Sequence, residues 1–476
     1  MNLYLLPQIA SALAVSMFCF LNGMELSYLS ILIPYFSKVN GMRVDNSFTI
    51  SDNQKSWLLS TGALIRPISN AVTGLVMDQI GRLNTQRFAI LPWSIGWLII
   101  ATASNFPMLM AGFCIAISAC PGFMISTLTY ITEISSPSAR GVLLSFKGIF
   151  WGLGSMSVFL LGAFIHWRTI AWINCLLPLI PFVLTLFVKE SMLWLVGKGR
   201  IDDAKESLVY FNRYRMLKDE NLESVIDRKL LSIQTLQERY QPSNLNLLQK
   251  MKFFLQPSGY KRVLMIAGLQ VFNELTGSTV VYSNTILFFN EFSTTINPYS
   301  IGIYMGLARL ATSFFSMWLL KTFKFRWILI VNYIILSGCL LSFGLYIDLN
   351  NKGTSINEWI PLCTMLLYTY ALAAGPYLVA IVITPSIYPT HLRGTGQSIS
   401  YIVGTLTEFS TIQSYYAVKK VVKQSHILYF MALSSLTACA YIYSCVVETY
   451  KKSFSEIEDY FSEKDNRNKN NPSSVE

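Results

Sequence analysis

The chain has 476 residues, of which 53% are hydrophobic, 14% aromatic and only 13% charged. Soluble domains carry roughly a quarter of their residues as Asp, Glu, Lys and Arg, so this composition excludes a soluble globular protein and gives a polytopic membrane protein. The formal net charge of +11 does not point to nucleic acid, because the basic residues fall in polar loops between apolar runs.

The amino-terminal MNLYLLPQIA has no basic leader, and its apolar run continues to about Tyr35, too long for a signal-peptide core; it is read as a retained first helix. Crossing the hydrocarbon core takes about 20 apolar residues. Twelve such spans occur, at 9–34, 57–77, 87–104, 107–131, 142–165, 169–188, 262–289, 299–320, 327–347, 358–385, 394–416 and 426–447. Spans 2 and 3 are joined by Gly74 to Asn84, GLVMDQIGRLN. There Asp78 closes one helix and Gly81-Arg82 opens the next, and an acid at a helix end in a bilayer needs an arginine or a helix amino terminus.

The long polar stretch 189–261 reads as a cytoplasmic linker with short helices, periodic around Ile201 to Tyr210 and Leu222 to Leu236. The organisation is therefore a six-helix half at 1–188, the linker at 189–261, a second half at 262–447 and a cytoplasmic tail at 448–476, polar and disordered from Glu463. Arg82, Arg87, Arg140, Lys321, Lys324, Arg326 and Arg393 share the linker's side when both termini are cytoplasmic, whereas Lys38, Arg43, Lys55, Lys419, Lys420 and Lys423 dissent. The eight cysteines lie inside apolar runs without paired spacing and read as small core residues.

The two halves repeat. Pro137 with Arg140-Gly141 recurs as Pro389 with Arg393-Gly394, and Glu190-Ser191 recurs as Glu448-Thr449, at offsets of 253 and 258 between the arginines and between the glutamates. Parallel repeats of this kind belong to transporters that rock about a midplane site.

Six ionisable residues lie inside spans, where charge is expensive and functional by default: Glu25, Arg66, Lys147, Glu274, Arg309 and Glu408. Counting about 1.5 Å per residue puts Arg66 level with Glu408 and Glu274 level with Arg309. Lys147 either binds an anionic group or snorkels toward the cytoplasmic surface.

These features resemble the major facilitator superfamily, specifically its sugar porters and most closely the insect facilitated trehalose and glucose transporter-like proteins. The carriers are Gly74, Asp78, Gly81 and Arg82; Tyr130-Ile131-Thr132-Glu133 with Arg140-Gly141; Trp194; Gly277; Pro389 with Arg393-Gly394; and Glu448-Thr449 through Glu456-Ile457-Glu458. The resemblance implies an all-α membrane fold of twelve transmembrane helices in two six-helix pseudo-repeats. It also implies a gate of Gly74, Asp78, Gly81, Arg82, Glu133, Arg140, Arg393 and Glu448, and it sets spans 2 and 11 face to face and spans 7 and 8 side by side, so that Arg66 is expected to pair with Glu408 and Glu274 with Arg309.

The family's amides, which offer donor and acceptor to each sugar hydroxyl, are here largely replaced. By the resemblance, the paired glutamines of span 7 become Asn273 and Glu274, the following asparagine Thr279, the glutamine of span 5 Gly148, the tryptophan of span 10 Ile381, and the asparagine-tryptophan pair of span 11 Gly404-Thr405. Leu83 replaces a basic residue, Phe113 the span 4 arginine and Ser386 the span 10 acid. Lys189 and Val447 stand for prolines, Leu193 for the arginine before Trp194, and Lys321 to Arg326 for an acid-arginine loop. Glu25 follows Gly23 where, by the resemblance, proton-coupled members carry an acid that works against the span 4 arginine, here Phe113.

The expected solute site is Asn273, Glu274, Thr279, Glu25 and Lys147. The reading is a facilitative, alternating-access transporter of a hexose or trehalose in the plasma membrane, monomeric, without cofactor, metal, covalent chemistry or nucleic-acid partner. The alternatives are an organic-ion or proton-coupled porter on the same fold, and a non-transporting sensor.

Overall fold

In the computed structural model the described residues are 5–36, 48, 50–136, 139–216, 230–231, 252–283, 298–352, 357, 359–389, 392–450, 452, 456–457 and 460–461. Expectations on Lys38, Arg43, Pro137, most of Leu222 to Leu236, Glu458 and the tail from Glu463 lie outside them.

The chain runs through α1 (Leu6–Tyr35), α2 (Asp52–Ile80), α3 (Arg82–Ala101), α4 (Phe106–Ile134), α5 (Arg140–Phe164), α6 (Trp167–Leu176) and α7 (Leu179–Leu186). Two linker helices follow, α8 (Met192–Gly197) and α9 (Ile201–Met216). Then come α10 (Pro257–Leu275), α11 (Ser278–Ser283), α12 (Pro298–Thr322), α13 (Phe325–Asn351), α14 (Trp359–Leu372), α15 (Leu378–Ile387), α16 (Arg393–Val418) and α17 (Gln424–Cys445). By length and composition, eight helical stretches among the described residues can cross a membrane; α2 and α16, which carry Arg66 and Glu408, are not among them.

Local sequence explains the starts. Ser51 and Gln54 form a capping box at α2, the Gln54 amide donating to Ser51 Oγ while the Ser51 amide donates to Gln54 Oε1. Asn105 caps α4 by accepting from the Met108 amide, with Pro107 in the first turn.

Three expected spans are interrupted. Span 6 breaks between α6 and α7 at Leu177-Pro178, since proline cannot donate to the preceding turn. Span 10 is α14 and α15 joined by a π-helical turn, Ala373–Tyr377, containing Pro376. Span 7 breaks between α10 and α11 at Gly277, whose φ is +78° and where a Cβ would meet Met431 Sδ at 2.5 Å; only glycine fits.

Within the first half α3 packs on α4 and α1 on α5, and in the second α13 packs on α17. Two seams join the halves: α2 lies along α16, and α5 along α12. Trp93, Trp97, Trp167 and Phe18 fill the first half's core, while Tyr333, Tyr368 and Leu372 belong to the second's.

Candidate functional site

One end of the bundle, here the linker end, holds the turn between α2 and α3. Gly81 has φ +101°, and a Cβ there would lie 2.7 Å from Glu190 Oε2, so the residue must be glycine to turn the chain and admit the acid. Arg82 then points back into the bundle. Its Nη2 donates to Glu133 Oε1 at 2.8 Å, its Nε to Glu133 Oε2 at 3.0 Å, and its Nη1 to the Met77 carbonyl at 3.3 Å. Both side chains are almost fully buried, and such a bidentate pair is strong and directional.

Glu133 also accepts from Ser191 Oγ and, across the halves, from Arg393 Nη1 at 3.4 Å. Two further bonds cross there. Thr395 donates to Asp78 Oδ2 at 3.1 Å, and Gln397 Nε2 to Thr129 Oγ1 at 3.0 Å. The linker end is thus closed, with four of the eight expected gate residues at its centre: Asp78, Arg82, Glu133 and Arg393. Gly74 lies buried in α2, one turn before Asp78. Trp194 donates from Nε1 to the Asp78 carbonyl at 3.2 Å.

Arg140, another of the expected gate residues, starts α5 within electrostatic range of Arg393. The repeated glutamates act alike. Glu190 accepts from the Leu83 amide at 3.0 Å at the start of α3, and Glu448 from the Phe325 and Arg326 amides at 3.2 Å at the start of α13. Each carboxylate caps a helix amino terminus, where orphan donors and the dipole favour negative charge.

Above this closure lies a cavity of about 240 Å³. Of the expected solute residues Asn273, Glu274, Thr279, Glu25 and Lys147 line it, with Arg66, Arg309 and Glu408. Arg66 Nη1 lies 2.8 Å from Glu408 Oε1, joining α2 to α16, and its Nη2 lies 3.7 Å from Glu25 Oε2. The second contact was missed: Glu25 meets an arginine from α2, not from the span 4 position held by Phe113.

The expected Glu274–Arg309 pair is not among the ion pairs of the described residues. Glu274 Oε2 accepts from Thr279 Oγ1 at 2.8 Å and Oε1 from Asn273 Nδ2 at 3.3 Å, while the Arg309 guanidinium stacks 3.3 Å over Trp151 and 5.1 Å from Tyr377. Equal depth did not imply facing sides. Nor does Lys147 snorkel: it is 5% exposed and lines the cavity.

Sequence reasoning also passed over Gln270, Trp151, Tyr377 and Tyr401, which line the cavity. Gln270 was findable, lying three and four residues before Asn273 and Glu274 on the same helix face. A Cβ at Gly404 would approach Gln270 Cβ to 3.2 Å, so the small residue where the resemblance places an amide admits Gln270.

A family model for "Sugar (and other) transporter" matches residues 11–461. The chain belongs to this sugar transporter family. It is 24% identical over 465 residues to the facilitated trehalose transporter Tret1 of Polypedilum vanderplanki, covering 96% of this chain and 88% of that one. With Tret1 of Apis mellifera ligustica it shares 25% identity over 471 residues, 95% and 88% of the two chains. Among solved structures, the major facilitator proton:xylose symporter XylE bound to 6-bromo-6-deoxy-D-glucose superposes with a TM-score of 0.79 at 16% identity, covering 95% of this chain and 99% of that one. The inward-open form of XylE from E. coli gives 0.68 at 16% identity, covering 94% and 98%. The fold is that of the major facilitator superfamily, twelve transmembrane helices in two six-helix repeats.

Proposed function

We propose that this sugar transporter family member moves a small polyhydroxylated solute, of the hexose or trehalose class, down its gradient by alternating access. The observation that carries the reading is the mid-depth cavity, walled by both halves and shut at the linker end by Glu133, Asp78 and Thr129 bonding to Arg393, Thr395 and Gln397. Contacts that exist only while one end is closed bias a two-state rocking equilibrium. The basic residues of the linker and of the α2–α3 turn support a cytoplasmic linker end in the plasma membrane, with both termini on the cytoplasmic side, and the protein works as a monomer.

The test is uptake of labelled glucose and trehalose by vesicles holding the purified protein. Saturable uptake of either solute is expected. Its absence from a well-folded preparation counts against the reading.

A further inference from the structure

The charges of the cavity fall into two groups. Around Arg66 stand Glu408 at 2.8 Å and Glu25 at 3.7 Å, with Glu274 in electrostatic range, so that three carboxylates share one guanidinium. The other group is Lys147 on α5 and Arg309 on α12. These helices touch closely: a Cβ on Gly148 would lie 3.4 Å from Ser313 Oγ, and one on Gly152 3.9 Å from the Arg309 carbonyl carbon. Trp151, one turn beyond Lys147, holds the Arg309 guanidinium carbon 3.3 Å from its ring centroid, a cation–π contact that keeps the cation over that ring.

Lys147 is buried in the cavity wall. The ionisable groups acting on it are Cys19 and Arg309, and among the described residues no carboxylate pairs with it. Removing an ammonium from bulk water without a counter-charge is costly, and a second cation nearby adds to that cost. An anionic group on the solute relieves both, while the amides of Gln270 and Asn273, on one face of α10, suit hydroxyls.

We propose that the cavity takes a polyhydroxylated solute bearing an anionic group, a carboxylate or a phosphate, with the anion between Lys147 and Arg309 and the hydroxyls against Gln270 and Asn273. The inference rests on the solute-cavity reading above but not on transport itself.

The test measures binding of glucuronate, glucose 6-phosphate and glucose to the purified full chain, alongside vesicle uptake of each. In the wild type at least one anionic sugar binds about tenfold or more tighter than glucose, and the two anions tell carboxylate from phosphate. Lys147→Met lowers that anion's affinity about ten- to a hundredfold, the worth of a hydrogen bond to a charged group, and lowers glucose affinity by much less; Lys147→Arg keeps most of the anion's affinity. The wild-type comparison stands even where Lys147→Met fails to fold. Glucose binding as tightly as both anions, an anion affinity untouched in Lys147→Met, or no binding of any of the three overturns the inference. Anion binding without uptake sinks the transport reading and leaves the inference standing; glucose uptake that neither anion competes with does the reverse.

Discussion

Glu133 and Arg393 stand 260 positions apart in the chain, yet Arg393 Nη1 donates to Glu133 Oε1 at 3.4 Å with both side chains fully buried. Arg82 holds the same carboxylate within the first half at 2.8 and 3.0 Å, so the charge stays compensated whether or not the halves meet. Arg393→Ala therefore removes an inter-half bond without stranding an acid. A long charge-assisted bond is worth about 1.5 kcal/mol, and the linker end opens about tenfold more often. Distances between spin labels on the ends of α4 and α15 should lengthen; an unchanged distribution would show that the bond does not hold the closure.

Arg82→Ala differs in kind. Among the described residues it leaves buried Glu133 with Arg393 at 3.4 Å and Ser191 as partners, and breaking a buried pair on one side costs about 3 to 5 kcal/mol. The melting temperature of the purified protein should fall well below that of Arg393→Ala. Equal melting points would contradict the division into a structural and a gating arginine.

Arg66 serves two carboxylates, Glu408 at 2.8 Å and Glu25 at 3.7 Å. Glu408→Gln leaves Arg66 a partner; Arg66→Ala leaves two acids facing each other. The arginine variant should lose roughly 3 kcal/mol or more and the glutamine variant about 1 to 2, as read from thermal unfolding. The reverse order would refute the shared arrangement.

Glu190 lies outside the spans, where loss of hydration pushes its carboxyl above the usual range against the pull of the Ser191 and Leu83 amides and of Arg82. The folded protein thus holds this proton more firmly than the unfolded chain does. The resulting stability is fully present below the unfolded value, near 4.3, and lost as pH rises through the folded one. Relative to Glu190→Gln, the wild type should gain melting temperature as pH drops from neutral to about 5; a flat difference between the two would contradict it.

Gly81→Ala meets both a φ of +101° and a contact of 2.7 Å with Glu190 Oε2. The strain is about 1 to 3 kcal/mol, and the displaced acid uncaps α3. Loss of thermal stability should exceed that of Gly338→Ala, where nothing lies within 4 Å of the added carbon.

The spans were legible because a bilayer demands long apolar runs, and the two halves because the arginine and glutamate motifs recur. The breaks at Pro178, Gly277 and Pro376 were not, since an apolar run reads the same straight or broken. Depth counting, joined to the resemblance that sets spans 2 and 11 face to face, placed Arg66 beside Glu408, and α2 does lie along α16. The same counting failed for Glu274 and Arg309, since it carries no information on which way a side chain turns about its helix axis, and Arg309 turns onto Trp151. The Arg66–Glu25 contact escaped notice because the resemblance directed attention to the span 4 position of Phe113, whereas burial of an acid requires only that some arginine reach it.

The most direct measurement is exchange of labelled glucose, trehalose and glucuronate across vesicles holding the wild type and Arg393→Ala, the variant chosen because Arg82 still compensates Glu133. The account predicts saturable exchange of at least one solute by the wild type, with a clear loss in Arg393→Ala at nearly unchanged melting temperature. No exchange of any of them by folded wild type, or full exchange by Arg393→Ala, would contradict a solute carrier gated by the Glu133–Arg393 closure.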